Sequence, residues 1–462
     1  MIKNKYISLI VQVLLYTLVL ASCVGEDRRL DYRETKGVND TIYNTMMKNY
    51  LWYDKIPSYE KLNLYADPDV FFYTLLADSE KKNSNYYSYI EKKEVTTKSI
   101  DESSSYGFEF LSYTTDSTWY ARVLYVLPGS PANDAGLKRG DWILSVNDQK
   151  ISKTNYTDLY SGSGAKLILG SYTGNAKKPF NESDTITLST ARAVNNDPIL
   201  VKEILTSASG SKIGYLVYNQ FSIGPNNSTT DNTYENELRE VLASFKSQNV
   251  QDFILDLRYN PGGYVTTSQL LSTMLAPTSA LGKLFCTAKF NDKQAQSSET
   301  YTFNSNLIGS GANLNLANLY VLVSGNTASA SELLINGLKP FMNVKLIGTT
   351  TEGKNLGSVA YDIENWTIHP IVCKFYNSLN SSDYASGFTP DVTVDETKSY
   401  IAYKELGDEN ELLLKQALAL INGASITKAA STRSVSTGLN TGISSLDRKR
   451  TNGVWLVPGR TW

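Results

Sequence analysis

The chain has 462 residues, a formal net charge of −2 at pH 7, and a hydrophobic fraction of 41%. This length allows two or three domains, and the balanced charge gives no sign of the strongly basic face that nucleic-acid binding favours. The single histidine, His369, excludes sites built from two or three histidines, which include most zinc hydrolase sites. We therefore expect no nucleic-acid partner, no metal and no cofactor.

The first residues have the pattern of a secretory signal peptide. Lys3 and Lys5 form a positively charged start, and Tyr6–Leu20 is a mostly apolar stretch. This stretch is shorter than the ~20 residues that a membrane-spanning helix needs, and its length is typical of a signal peptide. We predict that residues 1–22 are such a signal.

The predicted signal ends in Leu20-Ala21-Ser22-Cys23, which resembles the lipobox of bacterial lipoproteins. The resemblance implies cleavage before Cys23 and lipidation of this cysteine. It also implies a place in the bacterial cell envelope, anchored to the outer membrane and either periplasmic or surface-exposed. The charged residues 23–40 would then form a tether. The alternative is an ordinary cleaved signal with an incidental cysteine.

Two regions with different patterns follow the predicted tether. Residues 41–101 begin with a possible helix cap at Asp40-Thr41 and carry apolar residues at helical spacing, which indicates a small helical N-terminal domain. Residues 102–192 change to short strand-like stretches separated by Gly, Asn, Asp and Ser. We assign them to a β-rich domain.

The β-rich region contains a strand pattern before Pro128, a short helix pattern, a G-L-K-R-G-D turn at 136–141 and a further strand. This order resembles bacterial PDZ domains, in which Tyr106, Gly107 and Phe108 would stand at the carboxylate-binding loop. The resemblance implies that a polypeptide substrate binds here, with its C-terminus at the loop and its chain added to the sheet edge. The alternative is a structural spacer whose groove is filled.

After the β-rich region, apolar runs such as Ile213–Val217 alternate with helical stretches such as Tyr234–Phe245. Strands of continuous apolar character between helices indicate a sheet covered by helices. We assign residues 193–424 to this α/β core, so the predicted fold class is multidomain α/β (α+β). Residues 425–462, rich in Ser, Thr, Gly and Asn, are predicted to be a weakly structured tail.

Three segments of the core have residue types that suit catalysis. Ile254–Gly263 is an apolar strand that runs into a glycine turn, Leu322–Glu332 places Ser329 where a strand turns into a helix, and Thr349–Gly357 is a loop. Glycine turns at the carboxyl end of a strand present backbone N–H groups, and a helix N-terminus stabilises developing negative charge. The structural alternative is that Ser329 is only a helix cap.

The loop of the third segment contains Lys354, and one βαβ unit fits between Ser329 and this lysine. Adjacent parallel strands would bring both residues to the same edge of the sheet. A lysine accepts a proton only when it is neutral, so Lys354 would need an apolar environment that lowers its pKa. A catalytic histidine is less favoured, because His369 stands before Pro370 in an apolar stretch.

Together, the run L-D-L-R-Y-N-P-G-G at 255–263, Ala328-Ser329-Ala330-Ser331-Glu332 and Gly353-Lys354 resemble the C-terminal processing peptidases, or tail-specific proteases. The resemblance covers about residues 105–425. It implies that Ser329 is the nucleophile, that Lys354 is the general base and that Glu332 assists. An ionised carboxylate beside the lysine would raise its pKa, so we expect Glu332 to orient a hydroxyl or a backbone group.

The same resemblance implies an oxyanion hole formed by the backbone N–H groups of Gly263 and Ala330. One departure from the family concerns the lysine turn. The family often has G-K-G followed by a glutamine, whereas this chain has Asn355 after the lysine and no matching glutamine nearby. The polar neighbours of Lys354 are therefore not predicted.

The sequence predicts a serine endopeptidase of the C-terminal processing type, with a Ser/Lys dyad and PDZ-assisted substrate binding. The alternative is a catalytically silent surface lipoprotein of the same fold that binds peptides or apolar ligands. Cys286 and Cys373 lie in strand-like apolar contexts. They could form a disulfide in an oxidising compartment or remain buried free thiols.

Overall fold

The structure is a computed structural model that describes residues 33–82, 85–93, 104–115, 118–225, 228–400, 403–425, 439–450 and 454–456. The chain divides into two compact units. The first combines Met1–Val95 with Phe290–Gln296 and Val359–Val372, and the second contains the rest. The predicted signal peptide and Cys23 lie outside the described residues. No described helix is long and apolar enough to span a membrane.

The helices and strands of the described residues are numbered along the chain. The helices are α1 (33–49), α2 (Pro68–Tyr73), α3 (Pro131–Asp134), α4 (Thr233–Ser247), α5 (Val265–Leu275), α6 (Ala330–Leu338), α7 (Leu412–Ile421) and α8 (Asp447–Arg450). The strands up to the core are β1 (Tyr89–Lys92), β2 (Ser104–Ser105), β3 (Phe108–Thr114), β4 (Trp119–Val126), β5 (Trp142–Val146), β6 (Gln149–Lys150), β7 (Ala165–Tyr172), β8 (Phe180–Leu188) and β9 (Arg192–Ala193). The later strands are β10 (Ile199–Thr206), β11 (Lys212–Tyr218), β12 (Val250–Asp256), β13 (Leu284–Phe290), β14 (Glu299–Thr302), β15 (Asn318–Val323), β16 (Asn343–Gly348), β17 (Leu356–Ser358), β18 (Tyr361–Ile363), β19 (Trp366–His369), β20 (Ile371–Asn377), β21 (Val392–Thr393), β22 (Asn440–Ser444) and β23 (Val454–Trp455).

The first unit contains α1, α2 and a three-stranded antiparallel sheet in the order β1-β19-β18. On α1, Ile42 and Met46 are fully buried, as their helical spacing predicts. Asn39 is buried as well, and its amide donates hydrogen bonds to the carbonyl oxygens of Leu64 and Ala66. The prediction of a tether through residue 40 is therefore wrong for residues 33–40, because they begin a packed helix.

The β-rich part of the second unit is a seven-stranded antiparallel sheet with the path β22-β3-β4-β5-β7-β8, in which β6 pairs with β5. Its core is formed by alternate residues of these strands, such as Phe108 and Phe110 on β3 and Ala121 and Val123 on β4. This alternation is the pattern of a sheet with one buried face. The predicted β-rich region is confirmed.

The core of the second unit is a six-stranded sheet in the order β10-β11-β12-β15-β16-β21, parallel from β11 to β21 and closed at one edge by the antiparallel β10. Helix α7 packs on one face through Leu413 and Leu414, where it meets Ile254 of β12. The next residue along β12, Phe253, contacts Phe245 of α4 instead. Since successive strand residues point to opposite faces, helices cover both faces of the sheet. The predicted α/β core is confirmed.

The C-terminal residues contribute to the fold where they are described. Strand β22 joins the antiparallel sheet beside β3, and β23 joins a second sheet in the order β14-β13-β20-β17-β23. The prediction of a weakly structured tail over 425–462 is therefore wrong for these segments. These segments are mostly polar, but they contain two buried leucines, Leu439 and Leu446, which are 7% and 0% exposed and anchor the chain there. Cys286 and Cys373 are buried free thiols.

A buried cluster of charges connects the core sheet to the G-L-K-R-G-D turn. Arg258, fully buried after β12, forms ion pairs with Asp256 (2.8 Å), Glu396 (3.1 Å) and Glu411 (2.6 Å). Arg139 of the turn pairs with Glu396 at 2.9 Å. Burial opposes ionisation of Glu411, but the two arginines outweigh this effect and lower its pKa to about 2. Glu411 is therefore ionised at neutral pH.

We expect Arg258→Ala to lower the free energy of unfolding by about 3–5 kcal/mol, because it leaves buried carboxylates without their partner. Urea unfolding monitored by circular dichroism measures this loss. The matched control is Lys202→Ala, since Lys202 pairs with Glu237 on the surface at 3.0 Å and should contribute at most about 1 kcal/mol. Equal losses of unfolding free energy in both variants would contradict the contribution to stability that is assigned to the cluster.

Candidate active site

Three turns meet at the carboxyl edge of the core sheet. Strands β12, β15 and β16 are parallel neighbours, so the turns that follow them lie side by side. They are called the glycine, serine and lysine turns here, after Gly263, Ser329 and Lys354. Backbone hydrogen bonds join each turn to the next. Ala328 N–H donates to the carbonyl oxygen of Asn260 (3.2 Å), and Glu352 N–H donates to that of Thr327 (3.0 Å). The predicted βαβ unit between Ser329 and Lys354 is confirmed as β15-α6-β16.

Ser329 has a strained backbone conformation. Its φ is 63° and its ψ is −115°, at the residue that precedes α6. A non-glycine residue in this region costs on the order of 1–3 kcal/mol, and such residues cluster at active sites. The glycine turn approaches this residue closely. A Cβ added to Gly262 would lie 2.7 Å from the Cβ of Ser329.

The hydroxyl of Ser329 is buried and does not serve as an effective helix cap. Ser329 and Glu332 stand in the positions of a capping box, and Ser329 Oγ faces the third backbone N–H of the helix. Only the Glu332 half has normal hydrogen-bond geometry, with Ser329 N–H donating to Glu332 Oε2 at 3.0 Å. Ser329 Oγ has no hydrogen-bond partner among the described residues. If Ser329 were only a helix cap, its hydroxyl would accept this backbone N–H in a well-formed hydrogen bond.

The carboxylate of Glu332 accepts four hydrogen bonds. Its Oε2 accepts the backbone N–H groups of Ser329 (3.0 Å) and Lys354 (2.8 Å). Its Oε1 accepts the hydroxyl of Thr351 and the backbone N–H of Gly353, both at 2.6 Å. One carboxylate thus joins the serine turn to the lysine turn. The role of Thr351 was not predicted, because a threonine in a polar loop carries no sequence signal of its own.

Burial raises the pKa of Glu332 to about 7, although the hydrogen bonds from Thr351, Ser329, Gly353 and Lys354 lower it in part. The residue is fully buried. All four of its partners are donors, so only the ionised carboxylate can satisfy every one of them. Protonation would remove the cost of the buried charge, but it would place a hydroxyl among donors and break at least one of the bonds that join the two turns.

Lys354 is 3% exposed, which is unusual for a lysine and places its side chain in the protein interior. Its backbone is fixed by the bond to Glu332 Oε2. Asn355, which departs from the family pattern, turns its amide to Ser382 and donates to the carbonyl oxygen (2.8 Å) and the hydroxyl (3.0 Å) of that residue. Asn355 therefore fixes the loop after the lysine to a neighbouring segment.

The two predicted oxyanion-hole donors lie on adjacent turns. Neither Gly263 nor Ala330 donates its backbone N–H to another described residue. The glycine turn is held by Phe221, whose N–H donates to the carbonyl oxygen of Gly262 (2.9 Å) and whose carbonyl accepts the N–H of Tyr264 (2.8 Å). Both candidate N–H groups thus sit on a rigid backbone without competing acceptors in the described structure.

Some backbone groups of the predicted carboxylate-binding loop form hydrogen bonds within the protein. Tyr106 is 1% exposed, and its N–H donates to the carbonyl oxygen of Tyr160 (3.0 Å). The carbonyl oxygen of Gly107 accepts the N–H of Leu127, and Phe108 packs in the sheet core. Tyr106 N–H is therefore not available to a peptide carboxylate in this conformation.

His369 belongs to the first unit and has its own partners there. Its ring stacks on Tyr89 with 4.1 Å between the ring centroids. Its Nε2 lies 2.9 Å from Oε1 of Glu91. These contacts are typical of a structural histidine. The described residues contain no cluster of His, Cys, Asp and Glu that could hold a metal ion.

Family models match three parts of the chain in the order of the observed fold. The model of the peptidase S41 N-terminal domain matches residues 37–89, a PDZ domain model matches 122–163, and the model of peptidase family S41 matches 212–394. The last of these contains all three turns of the candidate site. The N-terminal match begins within α1, in agreement with the packed helix found there.

Curated relatives include the carboxyl-terminal-processing protease of Synechocystis sp., which is 26% identical over 65% of this chain. The carboxy-terminal processing protease CtpA of Bacillus subtilis is 25% identical over 66% of it. The chain spans 65% and 60% of the lengths of these two relatives.

A crystal structure of a Bacteroides fragilis protein assigned to the S41 proteases is 35% identical, with a TM-score of 0.73. The match covers 83% of this chain and 97% of that one, so the similarity extends over nearly the whole of the solved protein. The fold, the order of its parts and the three turns agree with this relationship. The chain therefore belongs to peptidase family S41.

Proposed function

We propose that the chain is a serine endopeptidase of the C-terminal processing type that cuts polypeptides with a dyad of Ser329 and Lys354. The observation that carries the proposal is the state of Ser329, a strained and buried residue whose hydroxyl has no partner among the described residues. A serine nucleophile must give its proton to a general base, and a hydroxyl that no structural bond occupies is available for that transfer. The silent ligand-binding alternative gives no reason for this arrangement.

In the proposed reaction, Ser329 Oγ attacks the carbonyl carbon of the scissile peptide bond while Lys354 Nζ takes the hydroxyl proton. The negative charge that develops on the carbonyl oxygen is stabilised by the N–H groups of Gly263 and Ala330, which lie on adjacent turns. One such donor typically contributes about 10²–10³ in rate. Lys354 then returns the proton to the leaving amine, and the C–N bond breaks. Water next attacks the acyl carbon while Lys354 takes its proton, and this proton returns to Ser329 Oγ as the ester bond to the serine breaks.

Glu332 has a positioning role in this proposal, because its carboxylate contacts backbone groups and Thr351 rather than substrate. It holds the serine turn and the lysine turn at a fixed separation. A displacement of about 1 Å between reacting groups can reduce a rate about 10²-fold. The proposal therefore assigns Glu332 to the geometry of the dyad and not to proton transfer.

The proposed substrate is a polypeptide whose C-terminal segment adds to the edge of the PDZ-like sheet. The names of the bacterial relatives support processing at the carboxyl terminus. The lipobox-like sequence before Cys23 supports a place in the cell envelope with a lipid anchor in the outer membrane.

Ser329→Ala should abolish hydrolysis of an unfolded polypeptide and leave the circular dichroism spectrum unchanged. The matched control is Ser331→Ala, because Ser331 Oγ donates to the carbonyl oxygen of Asn260 at 3.1 Å and has a structural role. Its removal should lower stability by about 1 kcal/mol and retain measurable activity. Loss of activity in both variants, with both folded, would rule out the assignment of the nucleophile.

Lys354→Arg should be as inactive as Lys354→Ala, because a guanidinium cannot lose its proton in the working range. Activity of the unaltered protein should rise with pH, since the neutral lysine is the reactive form. His369→Ala should retain most activity, and any loss should follow its stability. A pH–rate profile and turnover of the three variants test this, and an active Lys354→Arg protein would end the dyad assignment.

Glu332→Gln should reduce turnover about 100-fold, because an amide nitrogen would face N–H donors that now bond to the carboxylate. It should also change the dependence of stability on pH. The pKa of Glu332 is raised to about 7 in the folded protein, whereas in the unfolded chain it is near 4.5. Between these two pH values the folded protein holds a proton that the unfolded chain has lost. The contribution of Glu332 to stability is therefore full below pH 4.5 and is lost as pH rises through 7.

Thermal unfolding of the unaltered protein and of Glu332→Gln between pH 5 and 8 measures this difference. The unaltered protein should lose stability relative to the variant as the pH rises. Glu405→Gln, at an exposed carboxylate, should behave as the unaltered protein in both assays. Parallel stability curves for the unaltered protein and Glu332→Gln would show that the carboxyl titrates at its ordinary pKa.

A further inference from the structure

The edge of the PDZ-like sheet is occupied by the chain itself. Residues 439–448, here called the strap, contain β22 and pair antiparallel with β3 in the register Asn440 to Thr114, Thr441 to Tyr113 and Ser444 to Leu111. At the end of the strap strand, Ser445 N–H donates to the carbonyl oxygen of Phe110 (2.9 Å), and Phe110 N–H donates to Ser445 Oγ (2.8 Å). The edge-facing groups of Phe110 are therefore paired.

The strap takes the place and the direction that a bound peptide would have. Strand β3 directly follows the loop of Tyr106 and Gly107, and β4 pairs with its other edge. A peptide whose C-terminus approaches that loop has to run antiparallel to β3. The strap runs this way, from Asn440 opposite the far end of β3 to Ser445 beside Phe110.

Side chains anchor the strap at both ends. Leu439 packs with Tyr113 and Trp142, and Leu446 is fully buried with Leu124 and Tyr259. Between them the pairing is interrupted, because the register shifts between Thr441 and Ser444. Residues 440–442 are exposed. The strap therefore depends on its two leucines more than on a continuous ladder.

A carboxylate on β3 fixes the polar contacts of the strap. Glu109 is 3% exposed, and it accepts hydrogen bonds from the hydroxyl of Ser445 and from the guanidinium of Arg448 (2.9 Å). The Arg448 guanidinium also lies over the ring of Tyr160 at 4.4 Å. The edge thus selects a hydroxyl, a cation and an apolar side chain at defined positions.

The strap also covers a cavity of about 300 Å³. Thr441 and Ser444 line it on one side, and Ser324, Asn326 and Thr349, at the carboxyl edge of the core sheet, line it on the other. Ser324 and Asn326 belong to the turn that leads to Ser329. Removal of the strap would therefore open both the peptide-binding edge and a space beside the serine turn.

We propose that the strap is an internal ligand of the PDZ edge, which the C-terminal segment of a polypeptide substrate has to displace. This inference rests on the proposed function and adds its regulation. A segment tethered to its own binding site acts at an effective concentration on the order of millimolar. A substrate must exceed this competition, so the strap sets a threshold for productive binding and favours segments with a leucine-like side chain after a hydroxyl.

Binding of a fluorescein-labelled synthetic peptide with the strap sequence LNTGISSLDR tests the proposal by fluorescence anisotropy. All proteins carry Ser329→Ala, so the readout needs no catalysis and is independent of the proposed peptidase activity. Adding Ser445→Ala and Leu446→Ala should release the strap and tighten peptide binding at least tenfold. The control is Leu379→Ala, because Leu379 is 74% exposed in the same unit. Equal affinity in the released and control proteins would overturn the proposal.

A reversible crosslink tests the same point without weakening the strap. Leu111 and Ser444 face each other across the two strands, so the pair Leu111→Cys and Ser444→Cys should form a disulfide on oxidation. The oxidised protein should not bind the peptide, and reduction should restore binding to the level of the Ser329→Ala protein. Leu111→Cys alone should be insensitive to oxidation. Undiminished binding by the oxidised protein would show that the strap is a permanent strand.

Discussion

The candidate site depends on the carboxylate of Glu332. Ser329 and Lys354 lie in turns that follow two different strands, and the backbone alone joins these segments by the bonds from Thr349 N–H to Val323 and from Glu352 N–H to Thr327. The carboxylate adds three more bonds between them, from Gly353 N–H, Lys354 N–H and the Thr351 hydroxyl, and it also accepts the N–H of Ser329 in its own segment. Each turn is thereby fixed relative to the other.

Burying this carboxylate opposes its ionisation, which is why its pKa rises to about 7. The surrounding donors and the N-terminus of α6 offset part of that effect. Ser329, whose backbone is strained, lies in the same packing, because Gly262 approaches it closely and its N–H donates to Glu332. The strained serine and the buried carboxylic acid are therefore parts of the same local packing.

Much of this arrangement could be predicted from the sequence. Apolar runs at 213–217 and 319–323 mark buried parallel strands, and the interval between Ser329 and Lys354 fits a single βαβ unit, which places both residues at one sheet edge. The chemical identities of the serine, the lysine and the glutamate then limit their roles. Local pattern and residue type are sufficient here because the site is built from consecutive strand–turn–helix units.

Contacts between distant parts of the chain could not be predicted in the same way. The strap pairs Ser445 with Phe110 across more than three hundred residues, and its polar composition resembles that of a disordered tail. The charged residues before Asn39 resemble a tether, because the exposed face of an amphipathic helix has the same composition. The strap is anchored by Leu439 and Leu446, and the start of α1 is anchored by the buried Asn39. Neither set of residues repeats at a spacing that would predict a strand or a helix.

The buried charges around Arg258 have a consequence for the modularity of the chain. Arg139 comes from the PDZ-like region, while Glu396, its partner, lies beyond the last core strand. A gene fragment that encodes only residues 193–424 would lose one of the two cations that keep these carboxylates ionised in the interior. The peptidase core therefore depends on the PDZ-like region for part of its buried charge. A chimera that replaces the PDZ-like region has to supply an arginine at the position of Arg139.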